Sequence, residues 1–515
     1  MARRAVPLGA FATAIGLGAL TLGPLAVVMM QAGGGGGITA ADLAALRFTV
    51  TQAALSALAS VACAVPVARA LARRRFPGRR LAIAALGAPF LLPVIVAVLG
   101  LLAIFGRSGL INRGLEALGL PEVSIYGMGG VVLAHVFLNM PLATRMILQG
   151  WQAVPGERLR LAESLGFGPG AIFRHIEAPM LRDVLPGALL AVFAICLTSF
   201  AVVLVLGGGP GATTVELAIY QAVRFEFDLP KAATLAVMQV LACGAAVLLA
   251  GLFTVPSGFG AGLDRAVALP RPAGWRRLLD AAAIALALGF IAAPLLAVGF
   301  RGLPGLMALP SAVWPALAAS LTVAVLAAPL AVGAALLLAL ALAVARGWRG
   351  LEPVAMLPMA GSSLVLGTGL FLLVFPFVSP ARVALPVTVL VTAVMALPFA
   401  FRILLPEVRV LMADYGRLAD ALALRGWARL RWLILPRLRR PLGFALGLTG
   451  AMAVGDLGVI ALFAAEKGAT LPLVVQRLMG AYRTEAAAGA ALLLVAAAFA
   501  LFWICDWWGR HGSDT

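Results

Sequence analysis

Three polar residues lie inside long apolar stretches of this sequence, where burying a carboxylate, imidazole or amide without a bonding partner is costly. Asp456 stands within AMAVGDLGVIALF, and His135 and Asn139 stand four residues apart in AHVFLNM, on one face of a helix. A carboxylate among apolar residues in a membrane is costly, and such acids usually face a cavity or a bonding partner. These three residues are therefore candidates for pathway or substrate-binding chemistry.

Each candidate also has a structural interpretation, which the sequence favours. Asp456 can be an acid near a helix end, or the acceptor of a structural hydrogen bond, rather than a counter-charge for a cation. His135 and Asn139 can form interhelical hydrogen bonds rather than line a pathway. A metal site is not expected, because the chain has three histidines and no carboxylate completes a ligand set with them.

Charged residues are concentrated in two similar loops. Residues 160–179 read RLAESLGFGPGAIFRHIEAP and residues 417–436 read RLADALALRGWARLRWLILP, with seven identities in twenty positions and Glu163 facing Asp420. The same offset of 257 residues pairs Pro141 with Pro398, Arg145 with Arg402, Phe225 with Tyr482, and Ser199 with Asp456. This shared offset indicates an internal repeat, in which the acid at 456 has no acidic counterpart.

The first loop has the signals of two short helices joined by a turn. Pro155 suits the first turn of one helix, Gly166 suits its C-terminal cap, and Pro169 can open the next helix. The second helix is expected to place Ile172, Phe173 and Ile176 on one face. Such a helix could lie on lipid or dock into a groove of a partner protein. Its occurrence once per repeat favours a partner that also comes as a pair.

The composition predicts the elements that hold these loops. The chain has 515 residues, of which 63% are hydrophobic and 12% charged, and its mean hydropathy is +1.05. An all-α polytopic membrane protein is predicted, because apolar stretches of about 20 residues recur and ten-residue alternation is lacking. We predict about twelve transmembrane helices, near residues 8–30, 43–71, 81–105, 126–148, 184–206, 230–254, 278–300, 312–345, 351–376, 383–404, 441–463 and 485–508.

The net charge of +18 would suit a nucleic-acid partner, but the distribution of the basic residues points elsewhere. With the N-terminus in the cytoplasm, most of the 39 Lys and Arg fall in loops on the cytoplasmic side. This asymmetry predicts that both termini are cytoplasmic and disfavours nucleic-acid binding. On the opposite side, Glu216, Glu226 and Asp228 follow a GGGP turn, where they could receive a partner or simply form a solvated loop.

The repeat divides the chain into two halves of six helices. The first half covers residues 1–260 with its loop at 155–182, a cytoplasmic linker covers 261–277, and the second half covers 278–515 with its loop at 409–440. An even number of spans per half keeps the two copies parallel. Parallel repeats imply a pseudo-two-fold axis along the membrane normal, with a translocation pathway between the halves.

The loops resemble the EAA loops of ABC importer permeases, the fold of which is often called MetI-like. In that family the loop seats in a cleft of the ATPase subunit and couples ATP hydrolysis to transport. The resemblance carries the motif onto Ala162, Gly166 and Pro179, and onto Ala419 and Pro436. Two departures stand out: Arg160 and Arg417 occupy the position of the acid, and Ala423 replaces the glycine, so that Gly426 is expected to take over the turn. Phe173, Glu163 and Asp420 complete the expected coupling residues.

A second resemblance covers nearly the full length. The chain is similar to the fused, two-half permeases of thiamine and thiamine pyrophosphate importers, in the stretches ALARRRFPGR, LLPVIVAVLGLLAIFGRSG, LAHVFLNMPLATRMILQ, LGGGPGATTVELAIYQAV and GDLGVIALF. It implies a permease of the bacterial inner membrane that receives thiamine or thiamine pyrophosphate from a periplasmic binding protein. It also implies a separate dimeric ATPase that binds ATP and Mg²⁺, with no cofactor on this chain.

The sequence agrees with that division of labour. The phosphate-loop pattern G-x-x-x-x-G-K-[ST] does not occur, and GRSGLINRG at 106–114 lacks the lysine. We therefore expect a permease subunit rather than an enzyme. Two alternatives stay open: a fused permease for ferric iron, and, in another class, an ion-coupled secondary transporter with parallel repeats. The latter predicts acid or histidine relays in several helices.

Overall fold

The computed structural model describes residues 8–32, 37–253, 274–344, 351–464 and 468–511. All regular secondary structure within these ranges is helical. Eleven of the described helices are long and apolar enough to cross a membrane, and the pair Leu351–Met359 and Ser363–Val374, bent by 89°, brings the number to twelve. The prediction of an all-α polytopic membrane protein with about twelve spans is confirmed.

The helices of the first half follow one another in this order: α1 Leu8–Ala32, α2 Ala40–Arg73, α3 Arg79–Ala85, α4 Val94–Phe105, α5 Leu110–Ala117, α6 Met128–Ala153, α7 Gly156–Ser164, α8 Pro169–Ile172, α9 Ala178–Leu197, α10 Ala201–Leu206, α11 Val215–Gln221 and α12 Leu229–Gly251. Those of the second half are α13 Trp275–Gly305, α14 Val313–Val344, α15 Leu351–Met356, α16 Ser363–Val374, α17 Ala384–Ala421, α18 Gly426–Arg429, α19 Leu435–Arg437, α20 Arg439–Val454, α21 Gly458–Phe463, α22 Leu471–Gly480 and α23 Thr484–Arg510. The division near residue 260 and the linker at 261–277 fall largely outside the described residues, and the division stays a prediction.

Two spans are interrupted at matching places in both halves. The third span breaks just before α4 and α16, where Pro93 and Ser362 occupy the N-cap positions. The fifth span breaks between α9 and α10 in the first half, and between α20 and α21 in the second half. Proline lacks the N–H that a continuing helix needs, and the hydroxyl of Ser362 accepts a hydrogen bond from the Val365 N–H at 3.1 Å. The breaks place non-helical backbone at the level of the spans, where it must be buried in protein or line a cavity.

The first helix of each half packs against the other half. Helix α1 contacts α16 as well as α12, and α13 contacts α4 as well as α23. A methyl group at Gly369 would lie 2.4 Å from the carbonyl oxygen of Pro24, and one at Gly100 would lie 2.7 Å from that of Pro294. Only glycine allows this approach, so each half contributes one glycine to a close glycine–proline contact with the other half. Both contacts lie in the surface between residues 8–251 and residues 275–510. We call this surface the seam.

A hydroxyl on the second span of each half caps a short helix that precedes the last span. The Val215 N–H donates to Thr49 Oγ1 at 2.9 Å, and the Leu471 N–H donates to Ser320 Oγ at 2.9 Å. Both bonds satisfy a helix N-terminus that would otherwise lack an acceptor in an apolar setting. The same arrangement therefore recurs in both halves, although the sequence alignment did not pair these two hydroxyl residues.

Candidate functional site

The two loops each connect the fourth span of their half to the fifth. Six spans separate them, so both lie on the same face of the bundle. In the first half, helix α6 ends at Ala153, and α7 starts after Pro155, which occupies the N-cap rather than the predicted first turn. In the second half the corresponding segment is one continuous helix, α17, which is about 57 Å long at 1.5 Å per residue.

The first helix of each loop ends in the same Schellman turn. In the first loop the Gly166 N–H donates to the Glu163 carbonyl at 3.0 Å, and the Phe167 N–H donates to that of Ala162 at 2.9 Å. In the second loop the Ala423 N–H donates to the Asp420 carbonyl at 3.1 Å, with a matching 2.9 Å bond to Ala419. These paired bonds satisfy the last carbonyls of the helix.

The turn in the second loop corrects one prediction. Ala423 adopts the left-handed backbone itself, with φ 53°, just as Gly166 does with φ 68°. The expectation that Gly426 takes over this turn is therefore wrong, although Gly426 also has a positive φ of 53° and opens α18. The paired carbonyl bonds outweigh the cost of placing an alanine Cβ in this region, about 1–2 kcal/mol.

The second helix of each loop contains a π-helical turn. The two turns are Phe173–Glu177 and Leu430–Ile434, again 257 residues apart. Each is followed by a proline, Pro179 or Pro436, that cannot donate to the preceding turn, and the wider turn accommodates the missing bond. The widening also changes the predicted face: Ile172 is buried whereas Phe173 is exposed.

Two exposed leucines, four residues apart, stand at the end of the first helix of both loops. They are Leu161 and Leu165 in the first loop, and Leu418 and Leu422 in the second. Residues at this spacing form one patch on a helix surface. Sequence reasoning missed them, although their apolar type beside buried Ala162 and Ala419 was the available signal.

The first loop is tied to the helix bundle through Arg69 on α2. The Arg69 guanidinium pairs with Glu177 at 2.5 Å, and its Cζ lies 5.3 Å from the centroid of the Phe173 ring. The Glu177 side chain is 3% exposed and that of Arg69 is 30% exposed, so this ion pair is only partly screened from solvent. The arrangement fixes the π-helical turn against the second span and leaves Phe173 44% exposed.

The second loop exposes more aromatic surface. Trp427 and Trp432 are 69% and 68% exposed, whereas the corresponding residues of the first loop are Gly170 and His175. Its internal ion pair joins Arg429 to Asp420 at 3.2 Å, and the Arg437 guanidinium lies 4.6 Å from the centroid of the Tyr415 ring. The two loops thus share a backbone but present different side chains.

The structure brings the predicted loop residues together within each loop. Ala162 and Ala419 are buried beneath the turns. The others lie on the exposed side: Arg160, Glu163, Gly166, Phe173, Pro179, Arg417, Asp420, Gly426 and Pro436. A face of this kind, apolar at its leucines and basic at its margins, can receive a protein partner. The remaining predicted residues, His135, Asn139 and Asp456, lie within the membrane-spanning region instead.

His135 and Asn139 connect the fourth span to its neighbours. The His135 ring lies between Ser56, 3.0 Å from Nδ1, and Ser199, 2.7 Å from Nε2. Asn139 Nδ2 donates to the Cys196 sulfur at 3.4 Å. Both side chains are buried. They make the interhelical bonds that the sequence favoured, and Ser199 stands in the break of the fifth span.

Asp456 stands at the equivalent break of the second half. Its Oδ2 accepts from the Thr392 hydroxyl at 3.1 Å, and its Oδ1 accepts from the Gly458 N–H at 3.2 Å. At the offset of 257 residues, Thr392 corresponds to His135 and Asp456 to Ser199. The links His135–Ser199 and Thr392–Asp456 are therefore two versions of one contact between the fourth and fifth spans. The sequence paired Asp456 with Ser199 but showed neither link.

Glu216 departs from the expectation of a solvated or partner-binding external acid. It lies in α11 and is only 1% exposed. Its side chain lies close to Ser362 of the second half and to Gln239 of α12, while its Oε1 has no hydrogen-bond partner within the described part of the chain. Glu226, by contrast, forms an exposed ion pair with Lys231 at 2.9 Å.

Comparison with known proteins finds long relatives. The thiamine transport system permease protein ThiP of Brucella abortus (strain 2308) is 41% identical over 511 residues, which cover 95% of this chain and 93% of that protein. The protein of the same name from Escherichia coli (strain K12) is 39% identical over 472 residues, covering 90% and 88% of the two chains. No family model matches the chain.

A shorter relative is similar to part of the chain. The molybdenum transport system permease protein ModB of Azotobacter vinelandii is 30% identical over 178 residues. That match covers 35% of this chain but 78% of the relative. A separate permease thus corresponds to a segment smaller than one predicted half, as expected if each half is one permease unit.

Proposed function

The chain belongs to the family of thiamine transport system permease proteins, and from this premise we propose that it is the permease of an ATP-driven ABC importer for thiamine or thiamine pyrophosphate. A periplasmic thiamine-binding protein delivers the substrate, and a dimeric ATPase in the cytoplasm binds ATP and Mg²⁺. The chain lies in the bacterial inner membrane with both termini cytoplasmic. It holds no cofactor and catalyses no reaction of its own.

The observation that carries this proposal is the pair of loops with one backbone geometry on one face of the bundle. Each presents two exposed leucines beside a buried alanine, Ala162 or Ala419. Two equivalent docking elements suit a partner with two equivalent clefts, such as a dimeric ATPase. The basic residues around the loops support a cytoplasmic position for this face.

The same geometry suggests how movement of the loops reaches the pathway. Each loop joins the fourth span to the fifth, and the links His135–Ser199 and Thr392–Asp456 tie those spans together again at the break of the fifth. A loop and its two spans can thus move as one unit. When the ATPase dimer closes, it draws the two units together on the cytoplasmic side and opens the pathway outward, where the binding protein releases its substrate.

Co-purification tests the docking. In one variant, residues 160–179 and 417–436 are replaced by Gly/Ser linkers of equal length; in the control, residues 113–122 on the opposite face are replaced in the same way. We expect the cognate ATPase to co-purify with the wild-type chain and the control, and less than a tenth as much with the loop variant. Equal recovery with the loop variant would contradict the coupling role.

Transport in liposomes tests the substrate. The wild-type permease, reconstituted with its ATPase, should take up thiamine from a thiamine-loaded binding protein in an ATP-dependent manner. A ferric-iron-loaded binding protein serves as the control and should neither stimulate ATP hydrolysis nor deliver iron. Uptake of iron instead would replace the thiamine proposal by the iron importer. Thiamine uptake that follows an ion gradient without ATP would favour the secondary transporter, which the family relationship does not support.

A further inference from the structure

The breaks of the two third spans give the seam different polarity at equivalent places. There the N-cap positions Pro93 and Ser362 correspond to each other in the two halves. A methyl group at Gly455 would lie 2.9 Å from the Pro93 side chain, so the break of the fifth span in the second half borders the first half directly. Ser362 instead meets Glu216 from the first half. A pathway on the pseudo-two-fold axis passes through this seam.

Asp456 is one residue from that seam contact. Its carboxylate holds two hydrogen bonds, to Thr392 and Gly458, and the residue is partly exposed rather than fully buried. Two bonds leave lone pairs of a carboxylate available. The corresponding residue of the first half is Ser199, which carries no charge. The second half thus offers a negative group where the first half offers a hydroxyl.

Glu216 supplies a second acid at the same seam. Its Oε1 is an acceptor without a partner among the described residues, although the residue is almost fully buried. The neighbouring Ser363 lies against Gly458, two residues from Asp456, because a methyl at Gly458 would be 2.5 Å from the Ser363 hydroxyl. Ser362 lies near Glu216, and the adjacent Ser363 lies near the segment that carries Asp456. These two serines therefore connect the surroundings of the two acids.

Aromatic rings lie in the same part of the seam, further from the loops than the two serines. Phe371 lies about 12 Å along α16 from Ser363, towards the face opposite the loops. Its ring centroid is 5.7 Å from that of Phe375 and 5.4 Å from that of Phe463, and Phe227 of the first half lies 5.2 Å from Phe375. The first half has aliphatic residues or glycine at the equivalents of the three second-half rings: Leu102, Gly106 and Leu206.

We infer that the pathway contains a site for an organic cation, built mostly by the second half, in which Asp456 faces the positive charge and Glu216 of the first half flanks it. The exposed ring of Phe375 leads to this site, with the buried ring of Phe371 stacked against it. Aromatic faces and carboxylates together recognise quaternary nitrogen. The inference rests on the proposed function, because the thiazolium ring of thiamine carries a permanent positive charge. It makes most of the substrate contact a property of the second half, whereas coupling is shared by both.

Three variants separate a charge that contacts substrate from a structural hydrogen bond. Asp456→Asn removes the charge, Asp456→Glu keeps it, and Thr392→Val removes the hydroxyl bond while leaving the carboxylate. Each is reconstituted with the ATPase and the thiamine-loaded binding protein. Uptake of radiolabelled thiamine and the ATP hydrolysis stimulated by the loaded binding protein are both measured.

We expect Asp456→Asn to lower uptake at least tenfold while stimulated ATP hydrolysis falls less than twofold. Asp456→Glu should keep uptake within about threefold of the wild type, whereas Thr392→Val, which loosens the link between the fourth and fifth spans, should lower uptake and stimulated ATP hydrolysis by similar factors. A parallel fall of uptake and stimulated hydrolysis in Asp456→Asn, as in Thr392→Val, would overturn the inference in favour of a structural link. Uptake above half of the wild-type rate in Asp456→Asn would also overturn it. Absence of thiamine uptake by the wild-type complex would instead overturn the proposed function, so the two failures are distinguishable.

Discussion

The two halves of this protein share one backbone geometry in their loops, whereas they carry different side chains at the breaks of their membrane-spanning helices. Both loops end their first helix in a Schellman turn and widen their second into a π-helical turn, at positions 257 residues apart. In the membrane, the same spacing pairs a His–Ser link with a Thr–Asp link. A loop backbone that docks onto a paired partner is needed in both halves. A charged group that contacts a single substrate is needed in only one half.

The largest expected effect concerns the two glycine–proline contacts of the seam, to which each half contributes one glycine. Replacing Gly369 or Gly100 by Leu drives a side chain into the backbone of Pro24 or Pro294, and we expect each to destabilise the protein by about 3 kcal/mol. Gly333→Leu is the control, since nothing lies within 4 Å of a methyl group there. The measurement is the monodisperse fraction that survives heating in detergent. Loss in only one of the two seam variants would show that the glycine–proline contacts are not equivalent.

A smaller effect is expected at the exposed leucines of the loops. We expect Leu161→Ser with Leu165→Ser, and separately Leu418→Ser with Leu422→Ser, each to weaken ATPase binding about tenfold, because each leucine covered on docking contributes roughly 1.5–3 kcal/mol at most. Leu118→Ser, exposed on the opposite face, is the control and should leave affinity unchanged. Binding of labelled ATPase to the purified permease measures the effect. If only the second pair of substitutions weakens ATPase binding, docking depends mainly on the second loop and its tryptophans. The two loops would then not be equivalent in docking.

The smallest effect concerns the shared turn. Gly166→Ala should destabilise the first loop by about 1 kcal/mol, because it adds a Cβ at φ 68°. Ala423→Gly removes the same strain from the second loop and should be neutral to stabilising by about 1 kcal/mol, since glycine also gains entropy when unfolded. Thermal unfolding of the purified protein measures both. A destabilised Ala423→Gly variant would mean that the alanine methyl makes a contact more valuable than the strain it causes.

Local features of the loops were predictable because they follow from neighbouring residues. Gly166 and Pro169 mark a helix end and a helix start through their own backbone preferences, and both do so in the structure. Ala423 was misjudged because alanine disfavours a positive φ, and only the bonds to Asp420 and Ala419 compensate for it. The π-helical turns were missed because their hydrogen-bond register depends on the packing of Glu177 and Ile434 as well as on the proline that follows.

Intramembrane contacts were less predictable, because they join residues far apart in sequence. The apolar type of their surroundings marked His135, Asn139 and Asp456 as residues that need partners. Which partners they have depends on how the helices pack, and Thr392 resembles any other threonine in an apolar helix. Glu216 was misplaced for the same reason: the turn before it signalled a loop, whereas α11 folds back into the bundle.

The sequence by itself determined that this chain crosses a membrane about twelve times, that its two loops repeat, and which residues in it are costly to bury, because length, hydropathy and residue type act locally. The tertiary structure alone decided that the first helix of each half packs on the other half, that Gly100 and Gly369 admit Pro294 and Pro24, and that Asp456 borders the seam. These are contacts between surfaces, and their stability depends on shape complementarity between segments that no local pattern relates.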